Sequence, residues 1–63
     1  MKNLIKLFKG NFFFTKIDEI EATEFEEAMD IYAKKNPDVK IEVQKHYKID
    51  GKDIYYSKHK INE

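Results

Sequence analysis

The sequence predicts a small α+β domain with a β-α-β-β body, on three observations. Residues 39–61 hold an alternating apolar and polar run that turns at Asp50-Gly51. Residues 23–36 carry apolar side chains at helical spacing behind a capping signal. Residues 11–18 are aromatic and β-branched with no helical period. The expected body is a three-stranded sheet with one main helix, and residues 1–10 add a short helix or a fourth strand.

Residues 1–10, MKNLIKLFKG, support both readings. As a helix, Asn3 caps it, Leu4, Ile5, Leu7 and Phe8 face one way, and Gly10 stops it. As a strand, the segment pairs with the next one through a Gly10-Asn11 turn. Residues 11–18, NFFFTKID, read as the first strand of the body. Phe12 and Phe14 then share one sheet face and Phe13 takes the other.

The helix is predicted from a Thr23-x-x-Glu26 capping box, with acids in its first turn and Lys34 and Lys35 in its last. Asn36-Pro37 ends it, because proline cannot continue a helix. Phe25, Ala28, Met29 and Tyr32 form its apolar stripe, and Ile31 flanks that stripe. If the strands before and after the helix run parallel in one sheet, the crossover is right-handed, with the strand at 11–18 beside 52–61.

Along residues 39–49, Val39, Ile41, Val43, Tyr47 and Ile49 fall on one face of a strand. Asp50-Gly51 is a two-residue hairpin signal, and residues 52–61 return. That turn sets Tyr47 opposite Ile54, Lys45 opposite Tyr56, Lys48 opposite Asp53, His46 opposite Tyr55 and Glu42 opposite His59. Two of these are opposite-charge pairs, which favour the register.

Composition narrows the function classes. A chain of 63 residues has a thin core, and with no cysteine it has no disulfide to support it. The absence of cysteine, of a long apolar run and of a signal-peptide pattern makes the expected location cytoplasmic. All twelve basic residues are lysine, and Ile, Asn, Phe and Tyr are frequent, as an AT-rich genome encodes. A low-GC bacterium, its phage or a mobile element is the expected source. Without arginine there is no bidentate fork for guanine or phosphate.

The net charge of zero hides an uneven distribution. Residues 1–16 carry four lysines and no acid, residues 18–30 seven acids and no base, and residues 31–63 eight lysines and five acids.

No catalytic or metal motif stands out. His46 and His59, the two histidines, lie roughly 13 Å apart in the predicted register, too far to share a metal. Ser57, His59 and Glu42 nominally list a triad. Side chains two residues apart on a strand are about 6–7 Å apart, too far for a nucleophile–base bond of ~3 Å. With glycine only at positions 10 and 51, there is no phosphate-binding loop. The chain is therefore expected to be no enzyme and to need no cofactor.

Binding roles remain. The leading expectation is a protein–protein interaction module, by analogy with small mobile-element regulators and inhibitors of host proteins. Its acidic recognition face would be Glu24, Glu27, Asp30 and Ile31. Three adjacent phenylalanines need cover on both sheet faces, so Phe12, Phe13 and Phe14 are expected to drive homodimerisation. The alternative is nucleic-acid binding on the hairpin face through Lys40, His46, Lys48, Tyr55 and His59, with Tyr55 stacking bases. Zero net charge and the acidic helix weigh against it. Membrane binding by residues 1–9 as a basic amphipathic helix is weaker still, since so short a helix anchors poorly.

Overall fold

The computed structural model describes residues 2–61. The order of elements is β1 (Asn3–Lys9), β2 (Thr15–Ala22), α1 (Phe25–Lys35), β3 (Ile41–Val43), β4 (Tyr47–Ile49) and β5 (Lys52–Lys60). The five strands form one sheet in the order β2-β1-β5-β4-β3, with every pairing antiparallel. The class is α+β with one helix, as expected, but the sheet has five strands rather than three or four. No two neighbouring strands are parallel, but β2 and β3, which α1 joins, run in the same direction at opposite edges of the sheet. The place expected for residues 11–18 beside β5 is taken by β1.

β1 is an inner strand, next to the central β5. It pairs with β2 on one side and with β5 on the other, so the strand reading of residues 1–10 is the one observed. Ile5 and Leu7 point to the helix side and are fully buried, while Leu4, Lys6 and Phe8 alternate to the other side. Burying such a side chain contributes roughly 1.5–3 kcal/mol, enough to draw this segment into the sheet.

β2 starts at Thr15, so Phe12, Phe13 and Phe14 lie in the β1–β2 loop and not in a strand. Its pattern is masked by one irregularity. Leu7 pairs with Asp18, but Phe8 pairs with Lys16, so the register passes over Ile17. Ile17 joins the partly buried rim of the core, while Ile20 and Ala22 are buried. An extra residue in a strand breaks the period of two by which strands are read.

α1 spans Phe25–Lys35, two residues shorter at its start than predicted and one at its end. Its N-cap is Glu24, whose side chain makes no cap bond. Thr23 instead donates its backbone N–H and its hydroxyl to the Glu27 carboxylate. This is a capping arrangement one residue off from the predicted Thr23–Glu26 pair. Both helix ends are tied to the sheet. Asn3 Nδ2 donates to the Thr23 carbonyl at 3.1 Å, and Lys35 Nζ lies 2.7 Å from Asp18 Oδ2. Ala28, Met29 and Tyr32 are buried against Ile5, Leu7, Ile20 and Ala22, with Ile49 and Ile54 completing the core.

The predicted strand over 39–49 is two short strands. β3 and β4 fold on each other, with Ile41 opposite Ile49, Glu42 opposite Lys48 and Val43 opposite Tyr47. Residues 44–46 bend between them. The Asp50-Gly51 turn is present, with φ of 54° and 73° at its two residues. Lys48 opposes Asp53 and Ile49 opposes Lys52, as that turn dictates. No further pair of the predicted register is formed. The bend at 44–46 carries Glu42 and His46 away from β5, and across its other flank His59 lies opposite Leu4 and Tyr55 opposite Phe8.

Candidate functional site

Three surfaces remain outside the core. The first is the β1–β2 loop. Gly10 donates its N–H to the Asp53 carbonyl at 3.1 Å, and the Asn11 side chain accepts from the Asp53 N–H at 3.4 Å. Two contacts to β5 thus anchor the loop base. Gly10 is required there, since a Cβ would lie 1.8 Å from the Phe13 carbonyl oxygen. With the base held, the tip turns outward. Phe12 and Phe13 are each 90% exposed, and Phe14 folds back edge-on to Tyr55 at 4.7 Å between ring centres. The loop shows solvent two phenyl rings that the core does not use.

The second surface is the sheet face opposite α1, which no described element covers. Register places three rows across β2, β1 and β5 on it. Lys16, Phe8 and Tyr55 form one row, Glu19, Lys6 and Ser57 the next, and Glu21, Leu4 and His59 the last. Lys48 and Asp53 extend the face toward β4, with 3.6 Å between their charged atoms. Of the residues expected on a nucleic-acid face, Lys48, Tyr55 and His59 meet here. His46 lies in the bend before β4, and Lys40 precedes β3. The face is mixed in sign. Lys16 and Glu19 pair at 2.9 Å, and that contact holds the Glu19 carboxyl below its ordinary range. Glu42 faces Lys48 and not His59, so the nominal Ser57–His59–Glu42 set is not assembled.

The third surface is the outer face of α1. Glu24, Glu26, Glu27 and Asp30 are exposed along it, and Ile31 is half-buried against the core rim. Glu27 is not a free recognition group. The Thr23 hydroxyl and N–H both donate to it, and these bonds lower its pKa.

Aromatic residues also cluster where the start of α1 meets β4 and β5, a feature absent from the sequence reading. Phe25 stacks on Tyr56 at 4.3 Å and meets Tyr47 edge-on at 5.0 Å. Together with Ile54 and His46 they line a shallow depression of about 430 Å³. The signal was Tyr56 itself. Alternation already sets it on the face of Tyr47 and Ile54, but that the start of α1 brings Phe25 over it depends on the tertiary fold.

Among the described residues, no group of three or more His, Asp or Glu side chains is placed to hold a metal ion. No helix among them is long and apolar enough to cross a membrane. The chain matches no family model, no curated protein and no solved structure.

Proposed function

We propose that this chain is a non-enzymatic protein-interaction module, a small regulator or inhibitor from a low-GC bacterium or its phage that acts on another protein in the cytoplasm. One observation carries the reading. Phe12 and Phe13 are 90% exposed on a loop whose base is fixed to β5. Adjacent exposed aromatics of this size are a liability unless something covers them. A rigid base also means that little order is lost when a partner docks, which favours affinity.

The cover is a second copy of the chain or a heterologous protein, and the acidic face of α1 supplies a second contact through Glu24 and Asp30. The test is one preparation followed in two ways. Wild type and a Phe12→Ser/Phe13→Ser variant are compared by sedimentation velocity from low to high micromolar concentration. Both are then used as tagged bait in a low-GC bacterial lysate, with and without nuclease. Concentration-dependent dimerisation or a stoichiometric, nuclease-resistant partner, lost in the variant, supports the reading. Behaviour identical in both proteins removes it.

Nucleic-acid binding is the second reading, favoured by the placement of Tyr55, His59 and Lys48 with Phe8 and Lys6 on one uncovered sheet face. Capture that vanishes with nuclease, falls steeply with salt and is lost in Tyr55→Ala would put this reading first.

A further inference from the structure

β5 is nine residues long, yet β4 pairs with it only at Asp53 and Lys52. β1 lies along its other flank from Ile54 to Lys60. Beyond Asp53, no strand among the described residues pairs with the flank facing away from β1. The bend at 44–46 causes this, because it folds β3 back on β4 instead of letting it run on beside β5.

The polarity of that open flank follows from one bond. The Asp53 carbonyl accepts from Gly10, so it points toward β1. Successive residues of a strand turn their N–H and C=O groups to opposite sides. Tyr56, Lys58 and Lys60 therefore turn theirs to the open flank. Their side chains stand on the helix side of the sheet, in register with Leu7, Ile5 and Asn3. Lys58 and Lys60, with Lys2 nearby, line a depression of about 410 Å³. None of the ion pairs among the described residues uses these three lysines. At the other end of the flank lies the aromatic depression of Phe25, Tyr47 and Tyr56.

We propose that the flank of β5 from Tyr56 to Lys60 is a strand-addition site for an extended acidic peptide segment. Its backbone continues the sheet, two acidic residues at alternate positions meet Lys58 and Lys60, and an apolar residue two positions on enters the aromatic depression. In the antiparallel direction the segment reads acid-x-acid-x-aromatic from its N-terminus. Charge selects the occupant. A second copy of β5 paired antiparallel about Lys58 or His59 would set Lys58 against Lys58 or Lys60, and like charges across a ladder are destabilising. A phosphate backbone offers acceptors but cannot satisfy the carbonyls of Tyr56, Lys58 and Lys60.

The test uses the full chain and the fluorescein-labelled peptide Thr-Glu-Thr-Glu-Thr-Phe-Thr, its reversed sequence, and a version with lysine for glutamate. Fluorescence anisotropy should show saturable binding of an acidic peptide, with the lysine version at least about tenfold weaker. A Lys58→Glu/Lys60→Glu variant, checked for folding by circular dichroism, should reverse that preference. Amide hydrogen exchange supplies the second readout. Tyr56, Lys58 and Lys60 should exchange fast in the free chain and slow at least about tenfold with peptide, while Ser57 and His59, which face β1, stay unchanged. No saturable binding up to about 1 mM, equal binding of the lysine peptide, or unchanged exchange at those three amides overturns the proposal. So does protection of those amides in the free chain, which would mean that residues 41–47 already cover the flank.

Discussion

Of the three connections that close hairpins among the described residues, two do so in opposite ways. Asp50-Gly51 joins β4 to β5 with both residues at positive φ, the two-residue turn whose twist matches that of the strands. It contains only what a reversal needs. Residues 10–14 join β1 to β2 with a longer loop that carries three phenylalanines. Its reversal needs Gly10 and the Asp53 contacts, and nothing in the core needs Phe12 or Phe13. The contrast separates residues that make the fold from residues displayed by it. It also places the aromatic display beside a backbone held at Gly10 and Asp53.

The strongest test of that contrast lies in the strand that leads into the aromatic loop. Leu7 is fully buried between α1 and the sheet, so Leu7→Ala should lower stability by about 2–5 kcal/mol. A chain this small has little more than that to lose, so urea unfolding should find the variant largely unfolded or nearly so. A cooperative transition close to wild type would mean that β1 does not carry the core.

The two turn glycines should separate next. A Cβ at Gly10 meets backbone, the Phe13 carbonyl, at 1.8 Å, so Gly10→Ala must open the loop and should cost about 2–3 kcal/mol. A Cβ at Gly51 meets nothing within 4 Å, and its only penalty is the positive φ of 73°, about 1 kcal/mol for Gly51→Ala. Thermal melts of the two variants should therefore rank Gly10→Ala below Gly51→Ala. The reverse order would contradict the close approach at Gly10.

The acid limb of stability should report the helix start. The carboxyl of Glu27 is lowered by the Thr23 bonds, and that of Glu19 by Lys16. A lowered folded-state pKa contributes stability that is present above the unfolded value near 4.5 and is lost as pH falls through the folded value. Stability should therefore decline below about pH 4.5, and Thr23→Val should shrink the part due to Glu27. An unchanged acid limb in that variant would mean that the Thr23 hydroxyl does not hold Glu27 in solution.

The smallest effect on stability should come from the loop tip. Phe12→Ser/Phe13→Ser removes two side chains that are 90% exposed, so melting should move by no more than about 0.5 kcal/mol. The same variant carries the largest expected effect on association. A large loss of stability would show that the two rings pack against the protein in solution.

Local chemistry made part of this molecule legible. Asp50-Gly51 demands positive φ, so the turn and the Lys48–Asp53 pairing beside it could be read directly. Ala28, Met29 and Tyr32 recur at helical spacing, and they are the helix residues that are buried. The misread segments share a cause. Residues 3–9 carry apolar side chains on both faces, so period alone could not separate strand from helix. Ile17 is passed over in the ladder, which breaks the alternation of β2 beside three phenylalanines of high strand propensity. Residues 39–49 alternate well, but alternation assigns side chains to faces and does not say which strand lies alongside.

The same division holds for the surfaces. The exposed acids of α1 followed from helical spacing, and Tyr55, His59 and Lys48 share a face because strands alternate. The exposure of Phe12 and Phe13, the cluster of Phe25 with Tyr47 and Tyr56, and the open flank of β5 were not legible. Each depends on which distant segments meet.

By itself the sequence determined one helix, one tight turn, a mixed α+β class and the sign of charge on each segment. These depend on residues within a few positions of one another, where spacing and backbone preference decide. Tertiary structure alone decided that β1 lies between β2 and β5, that the chain bends at 44–46, and that two phenylalanines end in solvent. Strand pairing joins residues far apart in the chain, and a period of two suits many partners equally well. The burial of Ile5 and Leu7 together on the helix side of β1 selects among them.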